Sequence, residues 1–595
     1  MKIRNTYIFS FLILLSLKNL QARDHWAEET LKSLTLEEKI GQLFISATVI
    51  NPDTSNPAIE KIVNNIDKTP IDELIKKYKI GGVLYLGKTT TPKEQLHFTN
   101  NLQEISQIPL FIAQDLEWGL NMRLKNTIKF PHNMTLGAIE NDNLIFQVGK
   151  EIGRQCKLIG VNFNFAPVVD VNNNPQNPII NDRSFGEDKN QVAQKATAFM
   201  LGLQEAGIIS CAKHFPGHGD TNVDSHVDLP KICHDIERLK NLEFYPFKKV
   251  INAGIKSVMV AHLEVPALEK TPGVPATLSH SIVTKLLKNY ANFNGLIITD
   301  ALNMKGVLKN HKPGTLELKA LLAGNDILLC PKDTPRAIMQ IKKAIRNGIL
   351  TEEELDKHVT TILHAKEYLI KNRTLKTNFE NVSTKKMLSD SNVSSNLHTP
   401  YAYKLNKRLY QSAITLVCNK ENALPVLQNL KNRESIACVQ VGGKVGTEKE
   451  FLSTLEEYTK IKKYYLPSKI QPEVESEITK NLMLSLKEHS AIIFGIYGMN
   501  KYAHKNFGIS LSVLSFIEML ATQKNKKMIL VLFGNPYSLK LLDTMEHIPC
   551  IIEAYEDTPE AQIAAAEVIV GITKPKGRLP VSASEKFHAG LGLTF

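Results

Sequence analysis

Residues 293–301 read Phe-Asn-Gly-Leu-Ile-Ile-Thr-Asp-Ala, a short apolar stretch that ends in one carboxylate, that of Asp300. Apolar runs of this length, separated by amphipathic helical stretches, are typical of buried strands in a parallel sheet. The chain has eight such runs before residue 335, at 40–49, 80–87, 109–116, 161–171, 208–214, 255–263, 293–301 and 325–330. Strands that alternate with helices predict parallel βαβ units.

The number of strands favours a closed barrel over an open sheet. Eight βαβ units in about 310 residues predict a (β/α)8 barrel of the TIM type, which we assign to residues 23–372. An open doubly wound sheet is the alternative. Several reactive side chains end the predicted strands, namely Asp115, Lys213, His214, His262 and Asp300. A barrel gathers those ends at one mouth, whereas an open sheet spreads them along an edge.

A second α/β pattern follows the barrel. Six apolar runs alternate with helical stretches, at 413–418, 436–441, 462–466, 491–497, 528–533 and 550–554. This order predicts a smaller three-layer αβα sandwich over residues 408–595. Between the two patterns, residues 373–407 are rich in Asn, Ser, Thr and Lys and have no clear periodicity. We therefore predict a linker there with little structure of its own.

The first 22 residues have the features of an export signal. Lys2 and Arg4 precede a short apolar run at 7–17, and Ala22 ends the segment with a small residue. The apolar run is too short to span a bilayer, which needs roughly 20 residues. The sequence therefore predicts a signal peptide at 1–22, a periplasmic or secreted protein, and no stable membrane insertion once the signal is removed. A retained membrane anchor is the alternative.

Charge and cysteine content narrow the function classes. The formal net charge is +12, but the lysines are spread along the chain and no cluster alternates basic with aromatic residues. This pattern argues against a nucleic-acid groove and indicates a solvated surface. The seven cysteines are odd in number and form no CxxC spacing. Since most of them lie in apolar runs, we expect most to be buried thiols.

The densest group of ionisable residues is Lys-His-Phe-Pro-Gly-His-Gly-Asp-Thr at 213–221, followed by Asp-Ser-His at 224–226. The glycines and the proline predict a shaped loop after a strand. Asp224 and His226 are two residues apart, so both side chains project from one face of an extended segment. The carboxylate then orients the imidazole and stabilises its protonated form, which makes the pair a proton donor near neutral pH.

Two other interpretations of this loop remain. His218, Asp220, Asp224 and His226 form a nitrogen–oxygen set of the kind that zinc accepts, but no helix fixes their short spacing. Alternatively, the polar groups only stabilise turns, which explains the glycines but not the number of ionisable groups. We favour acid–base chemistry over a metal site.

Three further residues are candidates for the reaction or for substrate contact. Asp300 suits a nucleophile or general base at a barrel mouth, with an Asx turn or a helix cap as the alternative. Asp115 lies in a polar cluster at 114–124, and Arg183 lies in another at 181–188. Carboxylates and arginine suit the hydroxyls of a sugar because each makes paired hydrogen bonds, whereas surface salt bridges are the alternative.

Four motifs together, KHFPGHGDT, DSH, RSFGED at 183–188 and ITDALNM at 298–304, resemble glycoside hydrolase family 3. The resemblance is strongest to the β-N-acetylglucosaminidase branch of the peptidoglycan-recycling type, and it extends from about residue 30 to the end of the chain. It implies a (β/α)8 barrel, followed here by an αβα sandwich. It also implies no metal and no organic cofactor.

The resemblance gives each candidate residue a role. The family's nucleophile falls on Asp300, its acid/base dyad on Asp224 and His226, and its sugar-binding residues on Asp115, Arg183, Lys213 and His214. The implied mechanism is double displacement, in which Asp300 attacks the anomeric carbon while His226 protonates the leaving oxygen. The implied substrates are β-GlcNAc glycans, including peptidoglycan fragments. Trp118 departs from the family's Asp-x-Glu-Gly-Gly pattern, which leaves the shape of the leaving-sugar side open.

Other functions stay open from the sequence alone. Phosphate in place of water would make the enzyme a β-N-acetylglucosaminide phosphorylase. A β-glucosidase-like member of the same family is a second alternative. A glycan-binding protein without catalysis is a third, and the presence of Asp300 together with the pair of Asp224 and His226 argues against it.

Overall fold

The structure is a computed structural model that describes residues 25–222, 228–309, 311–372, 374–375, 392–426, 435–444, 446–469, 472–523 and 527–595. The predicted signal peptide at 1–22 lies outside the described residues, as do both members of the predicted dyad, Asp224 and His226. Within the described ranges, no helix is long and apolar enough to cross a membrane.

The first domain is built on a nearly closed sheet of eight parallel strands. The strands are β1 (Phe44–Thr48), β2 (Gly82–Tyr85), β3 (Phe111–Gln114), β4 (Phe163–Asn164), β5 (Ile209–Phe215), β6 (Ser257–Val260), β7 (Leu296–Thr299) and β8 (Leu328–Leu329). They pair in the order β7-β6-β5-β4-β3-β2-β1-β8. A parallel bridge between Ile298 and Ile327 joins β7 to β8. The predicted (β/α)8 barrel is confirmed.

Helices cover the outside of this sheet. The longer ones are Trp26–Ser33, Leu36–Gln42, Pro57–Asn65, Ile71–Tyr78, Pro92–Ile105, Asp142–Leu158, Lys189–Glu205, Ile236–Asn241, Phe244–Asn252, Ser281–Tyr290, Thr315–Ala323, Thr334–Arg346 and Glu352–Lys371. Short helical turns lie at Leu120–Met122, Asn133–Gly137, Asn181–Arg183, Ala276–Leu278 and Lys305–Leu308. The helices and the strands share one large apolar core.

Two boundaries differ from the sequence predictions for a physical reason. Residues 40–42, predicted as strand, end the helix Leu36–Gln42, which begins with a capping box between Thr35 and Glu38. The predicted helix at 236–253 is interrupted at Leu242. Pro246 lacks an amide hydrogen and cannot sit inside a continuous helix, but a first turn tolerates it. A new helix therefore begins at Phe244.

The second domain contains a six-stranded sheet between helical layers. Its strands are β9 (Thr415–Asn419), β10 (Ile436–Gly442), β11 (Ile461–Leu466), β12 (Ala491–Tyr497), β13 (Lys527–Leu532) and β14 (Cys550–Glu553). They pair in the order β11-β10-β12-β13-β14-β9, and only β9 runs antiparallel to its neighbour. The helical segments are Lys420–Asn422, Lys449–Glu456, Pro472–Leu486, Ala503–Gly508, Leu511–Ala521, Pro536–Leu542 and Pro559–Val570. The predicted αβα sandwich is confirmed.

The segment between the domains is more ordered than the sequence suggested. Of the predicted linker at 373–407, residues 376–391 lie outside the described part, but Val393–Leu397 and Pro400–Ala413 are helices. Leu405 and Leu409 of the second helix are buried in the core of the barrel domain, whereas Tyr410 is buried in the core of the sandwich. Apolar contacts on both sides thus stabilise a helix that polar composition did not predict.

A buried lysine lies under the barrel, on the side away from the mouth. Lys366 is on the helix Glu352–Lys371, and its Nζ donates to Gln42 Oε1 at 2.7 Å and lies 5.1 Å from the centre of the Phe111 ring. Burial without a carboxylate partner lowers the pKa of Lys366 to about 7. Folding therefore requires a charged lysine to lose solvation at neutral and acid pH.

We expect Lys366→Met to raise the free energy of unfolding at pH 6 by on the order of 1–3 kcal/mol. In the unfolded chain lysine titrates near 10.4, so between pH 7 and about 10 the unfolded wild type binds more protons than the folded form. The stabilising effect of Met should therefore shrink as the pH rises through this window. Urea unfolding of both proteins at pH 6 and pH 9 measures it, and a pH-independent difference would contradict the buried-lysine interpretation.

Candidate active site

Positive and negative side chains alternate in a buried network at the barrel mouth. Lys213, on β5, donates from Nζ to Asp115 Oδ1 at 2.9 Å and lies 2.8 Å from Glu117 Oε1. Arg123 Nη2 contacts the other oxygen of Asp115 at 2.7 Å. Burial acts to raise the pKa of Asp115, but the charges of Lys213 and Arg123 hold it well below its usual value. The Asp115 carboxylate is therefore ionised and fixed in place.

Arg183 extends this network from a second loop. It ends the helical turn Asn181–Arg183 after β4, and its guanidinium contacts both oxygens of Glu117, at 2.7 and 3.0 Å. Burial opposes ionisation of Glu117, yet Arg183 and Lys213 lower the pKa of this carboxyl to about 2. A buried, bidentate pair offers rigid donors and acceptors, which suits neighbouring hydroxyl groups of one ligand.

The buried carboxylate of Asp170 holds His214 in place. Asp170 is fully buried and accepts hydrogen bonds from Nδ1 of His214 at 2.8 Å and from the backbone amide of His218 at 2.8 Å. The second ring nitrogen of His214, Nε2, lies 3.4 Å from Nη2 of Arg183. Because arginine only donates, we assign the imidazole proton to Nδ1. This arrangement points Nε2 into the charged network.

Asp300 faces the same network from the opposite side of the barrel. It follows β7 directly, is partly exposed, and accepts the backbone N–H of Ala301 at Oδ1 at 2.7 Å. Asp115 directly follows β3 and Asp300 directly follows β7, so both carboxylates lie at the mouth, around the centre of the barrel. Since β3 and β7 are four strands apart, the two carboxylates approach that centre from opposite walls.

The alternative roles proposed for Asp300 fit the structure less well. The next helix, Lys305–Leu308, has Met304 as its N-cap and no side-chain cap, so Asp300 does not cap it. The bond to the amide of Ala301 is local, but it leaves the carboxylate at the mouth. This position is where a barrel enzyme places reacting groups.

Two of the proposed metal ligands in the loop after β5, His218 and Asp220, contact other side chains. His218 Nδ1 lies 2.9 Å from Thr221 Oγ1, and burial lowers the pKa of this imidazole to about 4. Asp220 Oδ2 lies 2.6 Å from Nε2 of His234. Among the described residues, no three His, Cys, Asp or Glu side chains form a group suited to a metal ion. The other two proposed ligands, Asp224 and His226, are outside those residues.

We expect prolonged treatment with EDTA to leave the glycosidase activity that the motif resemblance implies, assayed on a nitrophenyl glycoside, unchanged within experimental error. The reason is that Lys213, Arg123 and Arg183 already engage Asp115 and Glu117, so these two carboxylates do not call for a cation. Activity with and without chelator, followed by addition of Zn²⁺, checks this. Loss of activity with recovery on Zn²⁺ would restore the metal-site interpretation.

The structure brings together all four residues predicted to bind the sugar. Lys213 contacts both Asp115 and Glu117, and Arg183 contacts the same glutamate. His214 lies beside Arg183. The predicted roles of Asp224 and His226 remain predictions because these residues lie outside the described part.

Sequence reasoning missed three members of the network. Glu117 and Arg123 belong to the polar cluster at 114–124, but they were not selected as site residues. Nothing in the neighbouring sequence indicates that they pair with residues on other strands. Asp170 gave a clearer signal, since it is a lone carboxylate in the apolar run 161–171. A carboxylate buried to this degree needs partners, and its position after β4 resembles that of Asp300 after β7.

Some polar residues near the motifs serve structure instead. Glu187 accepts hydrogen bonds from the backbone and side chain of Ser582 in the sandwich, at 2.8 and 2.6 Å. Asp188 caps the helix Lys189–Glu205. Trp118, which departs from the family pattern, is half-buried, with its ring centre 4.3 Å from that of His132.

A comparison with known families identifies the class of protein that this barrel and this mouth define. The family model "Glycosyl hydrolase family 3 N terminal domain" matches residues 35–365. The chain therefore belongs to glycoside hydrolase family 3, and the resemblance inferred from the sequence motifs is confirmed. It is a glycoside hydrolase.

Individual relatives are similar over both domains. "Beta-hexosaminidase A" of Pseudoalteromonas piscicida is 30% identical over 86% of this chain and 91% of its own length. "Beta-N-acetylglucosaminidase/beta-glucosidase" of Cellulomonas fimi is 28% identical over 73% of this chain and 74% of its own. A solved family 3 β-N-acetylglucosaminidase from Paenibacillus sp. str. FPU-7 superposes with a TM-score of 0.72 at 27% identity, covering 93% of this chain and 99% of that one.

Proposed function

We propose that this glycoside hydrolase removes terminal β-linked N-acetylglucosamine from glycans. The observation that carries the proposal is the position of Asp300 at the end of β7, four strands from β3 and at the same mouth as the buried network of Asp115, Lys213 and Arg183. The network supplies donors and acceptors for the hydroxyls of one terminal sugar, and Asp300 supplies a carboxylate for its anomeric carbon. The Paenibacillus protein is named as a β-N-acetylglucosaminidase, which supports the same sugar, and the Pseudoalteromonas protein is named as a β-hexosaminidase, which supports the hexosaminide class.

The proposed mechanism is double displacement with retention. The Asp300 carboxylate forms a bond to the anomeric carbon while the glycosidic bond breaks, and His226, oriented by Asp224, gives its proton to the leaving oxygen. In the second step His226 accepts a proton from water, whose oxygen displaces Asp300 from the anomeric carbon. A histidine in place of a second carboxylate avoids another negative charge beside Asp300.

The proposed substrates are peptidoglycan fragments and related β-GlcNAc glycans, and the proposed site of action is outside the cytoplasm. The signal-like composition of residues 1–22 supports export. The motif resemblance to the peptidoglycan-recycling branch supports the substrate class.

One alternative has an observation in its favour. The Cellulomonas relative is named as both a β-N-acetylglucosaminidase and a β-glucosidase. A sugar site built mainly from contacts to ring hydroxyls would accept glucose as well, because glucose shares those hydroxyls and lacks only the acetamido group.

A panel of nitrophenyl β-glycosides, assayed with and without phosphate, tests the proposal. We expect kcat/KM for the GlcNAc glycoside to exceed that for the glucoside by at least about tenfold. We also expect free GlcNAc as the product whether or not phosphate is present. Equal rates on glucose would favour the β-glucosidase alternative, and GlcNAc 1-phosphate as the main product would show phosphorolysis.

A further inference from the structure

Three adjacent strands of the sandwich, β12, β13 and β14, end against the barrel beside the sugar network. The loops after these strands and two loops of the barrel enclose a cavity of about 250 Å³. Its charged and polar lining includes Lys129, His132 and Asp182 from the barrel, and Lys501, Asn535 and Glu556 from the sandwich. The carboxyl ends of strands from both sheets therefore meet here, and this is the edge at which α/β folds place functional residues.

His132 links the two barrel segments that carry the Glu117–Arg183 ion pair. Its ring packs against Trp118, the residue that follows Glu117, with 4.3 Å between ring centres. Its Nδ1 lies 3.2 Å from Oδ2 of Asp182, the residue that precedes Arg183. One side chain thus contacts the neighbour of each partner in this ion pair.

Glu556, from the loop after β14, holds His132 from the sandwich side. Its buried Oε1 accepts the backbone N–H of His132 at 2.8 Å and the hydroxyl of Thr135 at 2.7 Å. Its Oε2 lies 2.7 Å from Nζ of Lys129. These contacts fix the segment 129–135, on which His132 lies, to the second domain.

The charges around His132 favour its protonated form. Burial acts to lower the pKa of His132, but the carboxylates of Glu556 and Asp182 raise it overall, against a smaller opposing effect of Lys129. Lys501, which lies 3.4 Å from Asp182, and Asp557 are further charged groups that line the same cavity. The imidazole of His132 therefore contacts a carboxylate of the barrel, that of Asp182, while its backbone N–H donates to a carboxylate of the sandwich, that of Glu556.

We infer that Glu556 is a positioning residue of the sugar site: it holds His132, which in turn holds Glu117 and Arg183 at the separation that binds the terminal sugar. The inference rests on the proposed sugar site and assigns the sandwich domain a part in substrate binding. Glu556 acts through His132 and through the chain next to Trp118 and Asp182. Its loss should therefore weaken substrate binding more than it slows the bond-breaking step.

Glu556→Gln tests this inference, since the amide oxygen can still accept from His132 and Thr135 while the negative charge is lost. We expect KM for nitrophenyl GlcNAc to rise about tenfold while kcat changes less than about twofold. In the wild type, KM should rise as the pH passes above the raised pKa of His132. In the variant this rise should begin at a lower pH, because the charge that favours protonation is gone.

Glu567→Gln is the matched control. Glu567 is also a buried sandwich glutamate in an ion pair, with Lys407 at 2.8 Å, but it does not line the cavity. We expect its KM and its pH profile to equal those of the wild type. A rise in KM of the same size in both variants would show a general effect of a lost buried charge and would overturn the inference.

His132→Gln tests the same connection from the barrel side and remains informative if Glu556→Gln fails to fold. It should raise KM about as much as Glu556→Gln and abolish the alkaline rise, and the double variant should resemble either single one, because both act through one contact. Additive effects, or an unchanged KM in folded variants, would overturn the inference. A wild type inactive on nitrophenyl GlcNAc would instead contradict the proposed function.

Discussion

Asp300→Ala is expected to reduce turnover of nitrophenyl GlcNAc by roughly 10⁴-fold or more, with a melting curve close to that of the wild type. In the proposed mechanism the variant loses the attacking carboxylate, and the other carboxylates described at the mouth are held by other side chains, Asp115 and Glu117 by Lys213 and Asp170 by His214. Since the side chain is partly exposed at the mouth, its removal should leave the barrel folded.

Asp53→Ala provides the control for this experiment. Asp53 is an exposed carboxylate on the loop that follows β1, at the same end of the barrel, and it is not part of the charged network. We expect its kinetics to match those of the wild type. Near-normal turnover in Asp300→Ala, together with a native melting curve, would show that Asp300 is not the nucleophile.

The effect of His226→Ala is expected to depend on the leaving group. A nitrophenol departs with little protonation, whereas a sugar hydroxyl needs a proton from the enzyme. The variant should therefore lose far more glycosylation rate on a GlcNAc-containing disaccharide than on nitrophenyl GlcNAc, with a difference of roughly 10²-fold or more. Deglycosylation should also slow, because the same imidazole activates water. Pre-steady-state kinetics on both substrates separates the two steps.

Asp224→Asn should give a milder form of the same result. In the proposed dyad the imidazole of His226 remains, but it loses the charge proposed to orient it and to stabilise its protonated form. Equal losses on both substrates in His226→Ala would mean that His226 only binds substrate and that another group donates the proton.

The sequence predicted the elements of the fold well because their signals are local. The apolar run at 293–301 contains β7, and the run at 491–497 coincides with β12. Each strand lies between glycine or polar residues, Gly295 and Asp300 for β7 and Ser490 and Gly498 for β12, so its position can be inferred without knowing its partners. The helix Pro400–Ala413 was missed because its stability comes from apolar contacts with two domains that are distant in sequence.

Site residues that stand out individually in the sequence could be predicted. Contacts between residues that are distant in sequence could not. Lys213 and His214 stand out at the end of a strand, and the family motif contains them. The contact between Glu117 and Arg183 joins residues 66 positions apart, and that between His132 and Glu556 joins residues 424 positions apart. Neither separation leaves a pattern in the sequence, because only the folded barrel and its docked sandwich create those contacts.

A covalent bond between Asp300 and the sugar, as proposed, should be visible in the mass of the trapped intermediate. His226→Ala should accumulate this intermediate on nitrophenyl GlcNAc, since departure of nitrophenol needs little acid catalysis whereas hydrolysis of the intermediate is slow. After an acid quench and proteolysis, the account predicts one N-acetylhexosaminyl group on the peptide that contains Asp300, and none in the variant that also carries Asp300→Ala. An unmodified Asp300 peptide during steady turnover, or a sugar on another residue, would contradict the account.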